Sequence, residues 1–129
     1  MDPGELVHVD LTDIERRLLL AGLTEFGGPA AGAPALAPLV GAVSTDAFYQ
    51  LTERLRVAIK NQAPLSDLDW ARALVLTEIC WASDILGAAS EFGTNMPDSV
   101  ALPALRSLQR KLVTGERIRA LMDVRANPG

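Results

Sequence analysis

The chain is poor in the side chains that most often carry catalysis. It has one histidine, one cysteine and one tyrosine in 129 residues, and aromatic residues make up only 5% of it. A lone cysteine permits no intramolecular disulfide and no cysteine-based zinc site. Cys80, flanked by Ile79 and Trp81, therefore reads as a small core residue in a reducing compartment. Any Ser–His–Asp set would have to be built on His8, and no nucleophile-elbow sequence is present for it to serve. Gly27-Gly28-Pro29 follows an apolar-periodic segment instead of opening one, and the chain has no Gly-x-x-x-x-Gly-Lys-Ser/Thr. No catalytic residue, metal or cofactor is assigned on these grounds, and the reading leans away from an enzyme.

Lysine is also scarce, at two against ten arginines, which fits the codon usage of a GC-rich bacterial genome. The formal net charge of −4 speaks against nucleic acid as a partner, because neutralising phosphates needs a basic face. The charge is unevenly placed. Residues 105–129 carry six basic groups against Glu116 and Asp123, a net of +4, which leaves −8 on the first 104 residues. The simplest expectation is that the basic end packs or pairs against the acidic body, or is a solvated face.

No membrane span is expected. Phe26 to Thr45 is uncharged, but its run of glycines and prolines cannot form a spanning helix. The N-terminus, MDPGELVHVD, lacks a basic segment followed by an apolar one, so a secretory signal is not expected and a cytoplasmic location is.

What the chain does have is alanine and leucine. With 49% hydrophobic and 22% charged residues it can bury a core, and that core leans on residues that favour helices. The expected fold is all-α: a compact bundle of four main helices plus one or two short ones around a central apolar helix. It forms a single domain over 1–129, with an irregular lead-in at 1–10 and a frayed tail at 125–129.

Thr12 and Glu15 form a capping box that opens a helix over about 13–26. A second main helix is expected at about 45–61, with Ser44 as N-cap and Phe48, Leu51, Leu55 and Ile59 on its buried face. The third, capped by Ser66, runs from Leu68 to about Phe92. It is apolar on nearly all sides and holds both tryptophans, so it should sit at the centre of the bundle. A fourth is expected at about 103–113, either beginning near Pro103 or preceded by a loose turn from Asp98, because a proline inside a helix loses a hydrogen bond, and a short one from Glu116 to Val124.

Acids within an apolar helix are costly unless paired or exposed, which singles out Glu78 and Asp84. Six residues place them about 120° apart around a helix, so they do not form a dyad. On a continuous helix Asp84 shares a face with Thr77, Trp81 and Glu91, giving a strip of hydroxyl, indole and carboxylates. A neighbouring backbone amide, or an arginine such as Arg106 or Arg110, is the ordinary partner expected for Asp84, and likewise for Glu78. Thr77, Glu78, Asp84, Glu91, Arg106 and Arg110 are accordingly the candidate ligand- or partner-binding residues.

The leading functional expectation is a non-catalytic interaction module that binds a basic partner protein, for instance a bacterial immunity or antitoxin-type inhibitor. A small-molecule binder with a pocket beside the central helix is the alternative, and an enzyme of unrecognised type is a second. A homodimer would form if an apolar stripe stays uncovered.

Overall fold

A computed structural model describes residues 5–27, 32–87 and 96–126. The fold is an all-α compact bundle, as expected. In chain order it comprises β1 (Leu6–Val7), α1 (Asp13–Thr24), α2 (Ala33–Leu36), α3 (Thr45–Lys60), β2 (Leu65–Ser66), α4 (Asp67–Ala82), α5 (Asp98–Leu112) and α6 (Gly115–Ala126). Among the described residues no helix is long and apolar enough to cross a membrane.

The capping box at the start of α1 is present in full. The Thr12 hydroxyl accepts from the Glu15 amide at 3.1 Å, and the Glu15 carboxylate accepts from the Thr12 amide at 2.7 Å. Leu18, Leu19 and Leu23 are buried, and α1 packs against α3, α4 and α5. Ser44 and Ser66 cap α3 and α4 by accepting from Ala47 and Asp69 amides.

Four expectations need correction. The helix expected to reach Phe92 ends at Ala82. Ser83 leaves the helical region, and its hydroxyl accepts from the amides of Ile85 and Leu86, giving the backbone a local alternative to another helical turn. The terminating glycine expected at Gly93 lies outside the described residues. Even at this length α4 stays central, packed against α1, α5 and α6. Trp70 is buried, with its indole N–H donating to the Val7 carbonyl at 2.9 Å, whereas Trp81 is only half-buried.

Residues 1–10 are not wholly irregular, since Leu6 pairs with Ser66 and Val7 with Leu65 in an antiparallel bridge. α5 starts at Asp98 and runs through Pro103, whose side chain is exposed. The ring removes a bond to the carbonyl of Ser99, an exposed residue, so water can satisfy that carbonyl. Finally, α6 is a full twelve-residue helix that includes Arg125 and Ala126, placed by the sequence reading in a frayed tail. It docks through Val124, which lies against Gly41 in a left-handed turn (φ 77°).

α1 and α4 meet without a spacer. A Cβ on Gly22 would lie 2.6 Å from the Thr77 hydroxyl oxygen and 2.8 Å from the Thr77 Cα. The second contact is with backbone, so no rotamer change relieves it. Gly22→Ala is expected to destabilise the fold by about 1–3 kcal/mol, read from the urea midpoint; an unchanged midpoint would show that the two helices do not approach this closely.

Three acids turn inward and recruit basic partners. Glu15, 1% exposed, accepts from Lys111 Nζ at 2.6 Å and from the Ser107 hydroxyl at 2.6 Å, which ties α1 to α5. Asp67 accepts from buried Arg117 at 2.9 Å, tying α4 to α6. Asp69 takes Arg54 through two bonds, at 2.6 and 3.1 Å, and Arg72 at 3.0 Å. The basic end therefore pairs with the acidic body at two places, through Lys111 and Arg117.

Burial pushes the Glu15 carboxyl up, but the bonds from Lys111, Ser107 and the Thr12 amide outweigh it and hold the pKa down at about 2, from an ordinary 4.5. A depressed carboxylate pKa means stability present above pH 4.5 and lost as pH falls toward 2. Glu15→Gln should lower stability by about 3 kcal/mol at pH 7 in urea denaturation, with the gap narrowing through that window. A gap independent of pH would contradict the charged assignment.

Candidate functional site

Of the six residues singled out from sequence, five lie among the described residues, and only Glu78 and Arg106 among them share a hydrogen-bonded cluster. Thr77 is fully buried under Gly22, and its hydroxyl has no hydrogen-bond partner among the described residues. Asp84 lies beyond the end of α4 in an exposed turn and no longer shares a helix face with Thr77 or Trp81. Glu91 lies outside the described residues. Arg110 is exposed on α5.

Glu78 and Arg106 are brought together, through a residue not anticipated. Gln109 donates from its amide nitrogen to the Glu78 carboxylate at 2.6 Å and accepts from Arg106 Nη1 on its amide oxygen at 2.8 Å. The opposite charges at its two ends determine which way the amide faces. Arg106 and Gln109 stand three apart on α5, within reach of each other on one helix face. That spacing was visible in the sequence, whereas the crossing to α4 was not. A double-mutant cycle on Glu78→Ala and Gln109→Ala should return a coupling of about 0.5–1.5 kcal/mol in thermal denaturation. Strict additivity would mean that the bond does not form in solution.

Beside Glu78 lies a cleft of about 150 Å³ between α4, the end of α5 and α6. Leu74 and Val75 form one wall, Leu112 and Val113 another, and Ile118 and Leu121 the third. Glu78 is its acid, while the lining guanidinium of Arg117 is already bound to Asp67.

Local chemistry explains why the cleft stays open. Arg117 Nη1 donates to the carbonyls of Lys111 and Leu112 at 3.2 and 3.1 Å, filling acceptors that the last turn of α5 leaves unsatisfied. Thr114 caps α6 by accepting from the Arg117 amide at 3.2 Å. The α5–α6 corner is thus held by polar bonds, and Val113 and Ile118 stay about half exposed (49% and 51%) at the mouth of the cleft.

The groups that could have carried catalysis are placed apart. His8 is exposed and bonds Asp10 at 3.3 Å, while Cys80 is fully buried. The described residues hold no group of three or more histidine, cysteine or acidic side chains arranged for a metal ion.

No protein-family model, no curated protein and no solved structure matches this chain.

Proposed function

We propose that this protein is a non-catalytic interaction module whose α4–α6 cleft seats an apolar anchor of a basic partner protein, with Glu78 at the cleft taking a cation from that partner. The observation that carries the reading is the size and chemistry of the cleft. Its 150 Å³ suits one or two apolar side chains, and lies below the roughly 300 Å³ at which small-molecule pockets usually begin. Val113 and Ile118, about half exposed, present its apolar lining to solvent. Interfaces of this kind take most of their affinity from a few desolvated anchors, and charge around them steers the encounter.

The overall acidity of the chain, with Glu78 at the cleft, supports a basic partner, while the unengaged side chains of residues 105–126 (Arg106, Arg110, Arg119 and Arg125 against Glu116 and Asp123) carry a net +2. Lys111, Arg117, Arg54 and Arg72 are engaged by the inward acids Glu15, Asp67 and Asp69. Four basic groups against three acids leave a formal −5 on the rest of the chain. An inhibitor of the immunity or antitoxin kind, which covers the basic face of a toxin, is the specific form this proposal takes.

Affinity capture by the intact protein from its source lysate should retain one basic protein in stoichiometric amount. Ile118→Asp should reduce that retention at least tenfold with its melting temperature unchanged, because Ile118 is half exposed in the free protein. Glu78→Gln should weaken it less and flatten its salt dependence. Equal retention by wild type and Ile118→Asp would remove the cleft from the interface.

A further inference from the structure

On another face of α4, Arg72 and Arg54 share a single carboxylate, that of Asp69. Two guanidinium groups against one acid leave a residual charge of +1. Each guanidinium carries five N–H donors. Arg54 uses two on Asp69, while Arg72 uses one on Asp69 and one, at 2.8 Å, on the Val40 carbonyl. Three donors on each arginine therefore have no acceptor among the described residues.

Both arginines line a cleft of about 340 Å³. Its remaining walls are the 41–43 turn, Ala47 and Leu51, small or apolar groups, with the Gln50 amide beside them. The volume falls within the range of small-ligand pockets, and an apolar wall with a few convergent donors is the usual make-up of such a site.

We propose that this cleft binds a small organic monocarboxylate, its carboxylate on the free N–H groups of Arg54 and Arg72 and its compact apolar body against Ala47, Leu51 and the 41–43 turn. A monoanion matches the residual +1, and the planar guanidinium matches a carboxylate in geometry. A phosphate dianion would exceed the available charge and would leave the apolar walls without a partner. The site is separate from the α4–α6 cleft and does not depend on the partner-binding reading.

Benzoate, titrated into the intact protein by NMR, is the direct probe. It should give saturable shifts confined to the amides of residues 41–54 and of Arg72. Benzamide, the uncharged isostere, should bind at least tenfold more weakly. Arg54→Gln, which leaves Asp69 paired with Arg72, should weaken benzoate at least tenfold. Ala47→Leu fills the cleft without touching a charge, and should do the same. Equal binding of benzoate and benzamide, or binding of inorganic phosphate in place of benzoate, would overturn the assignment. So would benzoate shifts that persist unchanged in Ala47→Leu.

Discussion

A fully buried carboxylate sets the terms for this fold. Glu15 caps its own helix, and the same side chain takes the Ser107 hydroxyl and the Lys111 ammonium from α5. Removing such a group from water costs several kcal/mol unless charged and hydrogen-bonding partners surround it. α5 must therefore return to α1 in one register. Because α4 lies against both, the position of α5 also determines where α6 can dock.

The inward acids give the charge asymmetry of the chain a physical meaning. Lys111 and Arg117 tie the basic end to Glu15 and Asp67, so part of that end is internal structure and not a free arm. Arg117 does two jobs at once, bonding Asp67 and completing the carbonyls at the end of α5. The corner it makes leaves Ile118 and Val113 uncovered at the mouth of an apolar cleft. The exposed apolar cleft follows from how the ion pairs close the bundle.

Much of the fold was legible from local signals. The capping box at Thr12, the serine caps at Ser44 and Ser66, and the apolar spacing of α3 all act within a few residues, and each appears where it was read. The extent of α4 was not legible, because apolar residues continue past Ala82 and only the bonding of the Ser83 hydroxyl diverts the chain. Glu15 was read only as a cap, since its partners stand more than ninety residues away. The candidate strip on α4 assumed a continuous helix, whereas Asp84 falls beyond its end and Glu91 lies outside the described residues. Glu78 and Arg106 survive as neighbours only through Gln109, a residue with no distinguishing mark in the sequence.

Arg117 holds α6 and its cleft against α4 and the end of α5. Native-state hydrogen exchange on Arg117→Met tests that role most directly, because methionine keeps much of the side-chain volume while losing every bond to Asp67, Lys111 and Leu112. The α6 amides should lose protection first, while those of α1, α3 and the middle of α4 keep theirs relative to global unfolding. Protection lost evenly over the whole bundle, or retained in α6, would contradict it.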